Sequence, residues 1–154
     1  MSNNRSMRLL FFACTFLLVS TGSASARVVR HWSYQELLDK SDLVVIATPL
    51  ATTDTEERID LPGLAAQRVV GVETEFAVFV VLKGDKSLKK FSLHHYRADG
   101  MMMVPNGPSL VSFTPGEKTF IAFLVREADG RYAPTVGQVD PGMQGIHVLG
   151  GAGK

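Results

Sequence analysis

Glu73-Thr-Glu-Phe-Ala-Val-Phe-Val-Val-Leu-Lys-Gly-Asp-Lys-Ser-Leu-Lys-Lys-Phe-Ser-Leu-His-His-Tyr96 is the stretch on which the fold turns. Phe76, Val78, Val80 and Leu82 stand at alternate positions, and alternate residues of a strand share one face. Ala77, Phe79 and Val81 make the other face apolar too, after Glu75. A strand apolar on both sides is covered on both sides, or belongs to a closed sheet with something packed outside it. Three valines in four residues restrict χ1 and weaken the rival helical reading. Lys83-Gly84-Asp85-Lys86 breaks the pattern with a permissive glycine. Leu88 to Tyr96 resumes it, with Phe91, Leu93 and His95 on one face and Ser92, His94 and Tyr96 on the other. The reading is a hairpin of two long strands, with the rest of the chain wrapping it into a small β-barrel.

The first residues stand apart from that domain. Arg5 and Arg8 precede an apolar run, Leu9 to Val19, which is too short to span a bilayer. Ala24-Ser25-Ala26 then offers the small residues of a cleavage site. We expect a secretory signal peptide cleaved after Ala26, and hence export to the periplasm or the extracellular space. An uncleaved anchor and a lipoprotein form at Cys14 are the alternatives. Phe11 and Phe12 suit lipoprotein processing poorly.

Cleavage changes the composition. Of 154 residues, 128 remain once the first 26 are removed, enough to bury a core without staples. The removed segment takes Arg5 and Arg8 and no acidic residue, so the 16 basic side chains become 14 against 15 acidic ones, net −1. Cys14, the single cysteine, also leaves, and with it disulfide and thiol chemistry. A near-neutral chain with no basic run longer than Lys89-Lys90 argues against nucleic acid as a partner.

Moving from the hairpin toward the N-terminus, Ser33 and Glu36 have the spacing of a helix capping box, with Trp32 and Leu37 placed as a hydrophobic staple. The helix is short, and Asp39-Lys40-Ser41-Asp42 ends it. Such a helix cannot stand alone, so Trp32, Leu37 and Leu38 should pack on one end of the barrel. Leu43 to Leu50 reads as a second buried strand whose pairing loosens at Pro49. Ala51 to Leu64 reads as an exposed polar loop, with Asp54 to Asp60 as its candidate disordered part. Val69 to Val72 begins the central strand early, with Gly71 as a bulge.

Beyond the hairpin, Ala98 to Pro108 is irregular, Leu110 to Phe113 a short strand, and Pro115-Gly116-Glu117 a turn. Thr119 to Glu127 is another two-sided strand, and Asp129-Gly130 is a turn that returns Arg131 to Val136 against it. Gly137 to Gly145 is a loop, Ile146 to Leu149 a last strand, and Gly150 to Lys154 a tail. The fold class is therefore mainly β: a single domain over 27–149 with five or six strands and one short N-terminal helix.

Candidate chemistry is sparse. His94 and His95 are adjacent, so on a strand they point to opposite faces and cannot easily share an ion. Met101-Met102-Met103 beside them raises copper, since thioether and imidazole suit that metal, but a flexible methionine cover of a barrel mouth explains them as well. Asp54, Glu56, Glu57 and Asp60 lack the spacing of a calcium loop. The chain has no G-x-S-x-G elbow, H-E-x-x-H helix or P-loop.

Three pieces of the chain resemble a known pattern. Asp42-Leu43-Val44-Val45-Ile46-Ala47 looks like an opening barrel strand. Phe76 to Gly84 has an F-x-V-x-x-x-L-K-G form. Phe113-Thr114-Pro115-Gly116-Glu117, followed by Phe120 to Leu124, looks like a later strand of the same kind. Together, from Ser41 to Val125, they are similar to the oligonucleotide/oligosaccharide-binding (OB) type barrel of netrin-like domains and tissue inhibitors of metalloproteinases, and to bacterial exported proteins of unknown function that share the pattern. The resemblance implies that barrel. The inhibitors use an N-terminal cysteine against the protease metal, and a chain starting at Arg27 without cysteine lacks that device.

The functional expectation is a non-catalytic binding or protein-interaction module, without cofactor or metal and without a membrane span after cleavage. Its partner is an envelope or extracellular protein, with Met101, Met102, Met103, Asp54, Glu56 and Glu57 as candidate contacts, because binding residues concentrate on loops held by a rigid scaffold. The alternatives are a metal-handling envelope protein that uses His94, His95 and the three methionines, and a small envelope hydrolase.

Overall fold

The structure is a computed structural model that describes residues 30–60, 68–100, 110–140 and 142–151. One helix, α1 (Tyr34–Lys40), precedes six strands. These are β1 (Leu43–Asp60), β2 (Arg68–Lys83), β3 (Lys90–Ala98), β4 (Lys118–Arg126), β5 (Tyr132–Pro134) and β6 (Ile146–Gly151). The sheet order is β1-β2-β3-β5-β4-β6, and β1 also pairs with β4, so five strands form a near-ring. Every pairing is antiparallel except β3 with β5, which meet in parallel at the single pair Leu93 and Tyr132.

The expected hairpin is β2–β3, in register from Val69 opposite Ala98 to Ala77 opposite Lys90. Gly84 makes its turn with a φ of 104°, a conformation that side chains resist. The expected alternation of Phe76, Val78, Val80 and Leu82 on one face does not persist. Ile46 pairs with Val80 and Ala47 with Val78, leaving Phe79 without a partner. Val44 pairs with Lys83 and Val45 with Val81, leaving Leu82 without one. Each extra residue shifts the phase of the strand. Phe76 and Val81 are therefore buried in the same core, with Val78 partly covered, whereas Phe79, Val80 and Leu82 are exposed.

Phe76 sits at the centre of the ring. Its ring stacks on Phe91 at 5.1 Å and meets Phe113 edge-on at the same distance. Leu43, Val45, Leu93, Phe120, Ala122 and Leu124 belong to the same cluster. The other face of β4 is covered as a two-sided strand requires. Phe123 packs with Leu37 and Val44, and with Ile121 and Trp32 beside them. The helix thus lies on the outward face of β1 and β4 rather than over one end, and Leu38 is left partly exposed. Its capping box is complete: the Glu36 amide donates to Ser33 Oγ at 3.2 Å and the Ser33 amide to Glu36 Oε2 at 2.9 Å.

Three further expectations change. Ala51 to Asp60 is not a loop but the second half of β1, paired with β2 from Ala51 opposite Glu75 to Asp60 opposite Arg68. Most of its polar side chains are exposed while its backbone pairs with β2 on either side of an irregularity at Thr55 to Glu57, and Thr52 Oγ1 lies 2.9 Å from the buried Thr74 Oγ1 across the strands. The pairing does skip a residue, Leu50, just after Pro49. Leu110 to Phe113 is irregular rather than a strand, although Val111 and Phe113 are buried in the core. Finally, β6 takes in Gly150 and Gly151. The expected turn at 115–117 is present, and Gly116 donates its amide to the Pro49 carbonyl at 2.9 Å.

Candidate functional site

On the outward face of β3, Ser92, His94 and Tyr96 point away from the ring core. His94 is 4% exposed, deep for a titratable side chain on an outward face. Three elements cover it. Glu57 arrives from β1, Glu127 from the turn between β4 and β5, and Gln138 from the segment after β5.

The contacts around the imidazole are specific. Nδ1 lies 2.9 Å from Glu127 Oε2 and 2.9 Å from the Gln138 side-chain nitrogen. Gln138 also donates to the His94 carbonyl at 3.3 Å. Nε2 lies 3.0 Å from Glu57 Oε2 but without hydrogen-bond geometry, so this buried nitrogen has no directed partner among the described residues.

The carboxylates have further partners. Tyr96 donates its hydroxyl to Glu57 Oε1 at 2.8 Å. Burial first, and then the Glu57 carboxylate, raise the phenol far above its ordinary value. Arg131 donates to Glu73 at 3.0 Å and to Asp129 at 2.8 Å, and stands 3.8 Å from Glu127. Ser92 donates to Glu73 at 3.3 Å. Each charged member faces another member, so the cluster is a clasp that ties β1, β2, β3 and the β4–β5 turn together.

His95 points the other way, into the ring. It is 2% exposed, its Nε2 lies 2.8 Å from Thr74 Oγ1, and it meets Phe113 edge-on. The two histidines diverge, as adjacent strand residues do. Among the described residues, no three His, Cys, Asp or Glu side chains converge as ligands for one metal.

The candidate contact residues are scattered. Asp54 is on β1 and pairs with Arg97. Glu56 is exposed on the same strand, and Glu57 is turned into the His94 clasp. Met101, Met102 and Met103 lie outside the described residues. The clasp itself escaped sequence reasoning, because its members come from distant segments that no spacing connects. The one local sign was Gly71, read as a bulge: a Cβ there would stand 2.9 Å from both Cβ and Oε2 of Glu57, so its absence admits the Glu57 side chain.

A second feature lies at the far end of β2. Phe79 is 65% exposed, and Val80 and Leu82 are each 47% exposed. Pairing with β3 stops at Ala77, followed by one bond from the Val78 amide to the Lys89 carbonyl. Among the described residues, β1 is the only strand paired with β2 beyond that point. Lysines surround this segment. Lys86 Nζ donates to the carbonyls of Val81 and Leu82 at 2.6 and 2.9 Å, and Lys83 Nζ donates to the Leu38 carbonyl at 2.6 Å.

No model of a known protein family matches the chain, and no curated protein matches it.

Proposed function

We propose that this chain is an exported, non-catalytic binding module of the periplasm or extracellular space, built on an OB-type, netrin-like barrel. The near-ring of five strands with a helix on its outer face supports the barrel reading. The basic start, the short apolar run and Ala24-Ser25-Ala26 support export. Fold alone does not give function. The observation that carries the binding reading is the group Phe79, Val80 and Leu82, three uncovered apolar side chains within four residues. Scattered exposed apolar residues are ordinary, but a contiguous group marks a contact surface. The His94 clasp has a structural role in this reading, because its charges are met within the protein.

The partner is a macromolecular surface of the cell envelope. Photo-cross-linking in the producing cells tests this, with the reactive residue placed at Phe79 and, in a control, at exposed Lys118. A discrete adduct from position 79 that is missing from position 118 is expected. No adduct to either protein or lipid from position 79, with the protein folded and exported, rejects the reading.

A further inference from the structure

We propose that the end of β2 and the β2–β3 turn form a docking surface for an anionic lipid bilayer. This rests on the binding-module reading and names its partner. Residues 83–90 hold four lysines and one aspartate. Lys90 is ion-paired with Glu75, while Lys83 and Lys86 donate to backbone carbonyls and have no acidic partner among the described residues. Asp85 is folded back, accepting from the Ser87 amide at 2.8 Å and the Ser87 hydroxyl at 2.6 Å. Lys89 is exposed and makes no side-chain hydrogen bond or ion pair among the described residues. Phe79, Val80 and Leu82 lie directly beside this basic turn.

An apolar group fringed by lysines matches a bilayer interface on both counts. The apolar side chains enter the acyl boundary, while the flexible Lys89 stem holds its ammonium group at anionic headgroups and the charges of Lys83 and Lys86 add to the field behind it. The competing occupant is an added peptide strand, which needs free backbone groups along the edge. Here Lys86 already occupies the carbonyls of Val81 and Leu82, a common way of blocking a sheet edge. What the surface still offers is its side chains and its positive charge, and these suit a lipid surface.

The test is co-sedimentation of the protein, purified in its exported form, with vesicles of phosphatidylcholine alone or with added phosphatidylglycerol. Wild type should bind the anionic vesicles and leave the neutral ones, and binding should fall as salt is raised. F79S/L82S should lower partitioning at least roughly tenfold, because adsorption scales with buried apolar area. K89Q should weaken binding to anionic vesicles about fivefold, since each lysine near such a surface contributes on the order of fivefold. These positions are exposed, and unchanged circular dichroism and melting confirm that the variants fold. Failure of wild type to bind anionic vesicles overturns the proposal, as does equal binding by F79S/L82S. A protein adduct from position 79 in the cross-linking experiment, without vesicle binding, rejects the lipid and leaves the binding module standing. With neither vesicle binding nor an adduct, both readings fail.

Discussion

Glu57 occupies the space that a side chain on Gly71 would need. A Cβ on Gly71 would stand 2.9 Å from Glu57 Oε2, 2.9 Å from its Cβ and 2.5 Å from Thr55 Oγ1. Gly71 is opposite Tyr96 in the β2–β3 register, so the missing side chain opens the way to the Tyr96 hydroxyl and His94. Gly71→Ala should therefore destabilise the fold by about 1–3 kcal/mol, the usual cost of overpacking. Urea unfolding measures it. In a Glu57→Ala background the penalty should shrink only in part, because the carboxylate leaves while Glu57 Cβ and Thr55 Oγ1 remain. An equal loss in both backgrounds would show that the Glu57 carboxylate is not the obstacle.

The bulges of β2 make a sharp contrast between two phenylalanines three residues apart. Phe76 is 1% exposed inside the ring, and Phe76→Ala should cost roughly 3–5 kcal/mol. Phe79 is mostly exposed, and Phe79→Ala should stay within about 0.5 kcal/mol. Similar losses at the two positions in denaturant unfolding would mean that the strand phase is wrong.

Acid should weaken the protein through His95. Burial first pushes its imidazole down from 6.5 to about 4. The unfolded chain takes up the proton near pH 6.5 and the folded chain only near pH 4. Between these values the unfolded state binds more protons, so stability rises with pH. The contribution is complete above about pH 6.5 and is lost on acidification through pH 4, a span of roughly 3 kcal/mol. Urea unfolding at several pH values across this window, for wild type and His95→Gln, reads the effect. The variant should have a flatter profile, and parallel profiles would remove His95 as the cause.

Tight binding of Cu(I), Cu(II) or Zn(II) is not expected of residues 27–154. His94 is engaged by Glu57, Glu127 and Gln138 on one face, and His95 by Thr74 on the other. Isothermal calorimetry with each ion should show no stoichiometric sub-micromolar site. A site of that kind, lost in His94→Ala, would contradict the expectation.

Export has its own direct measurement. Intact-mass spectrometry of the protein from the producing cells should show a chain that begins at Arg27. A mass that retains Met1, or a lipid on Cys14, would contradict the reading of Ala24-Ser25-Ala26 as the cleavage site.

What the sequence determined by itself is local. Capping at Ser33 and Glu36 depends on residues three apart, and the β2–β3 hairpin on alternation interrupted at Gly84, so both were legible as text. The two-sided burial of β4 could be read in the same way, because Phe120, Ala122 and Leu124 alternate with Ile121 and Phe123. Only the tertiary structure decided that Ala51 to Asp60 is strand. Polar residues there satisfy their backbone against Arg68 to Glu75, and no composition rule reports a partner strand. It also decided which apolar residues of β2 are covered, because the bulges at Phe79 and Leu82 arise from pairing with β1, and one unpaired residue reverses every side chain after it. The His94 clasp belongs to the same class. Glu57, His94, Glu127 and Arg131 meet because the sheet folds back on itself, and the energy of that meeting depends on distance in space rather than along the chain.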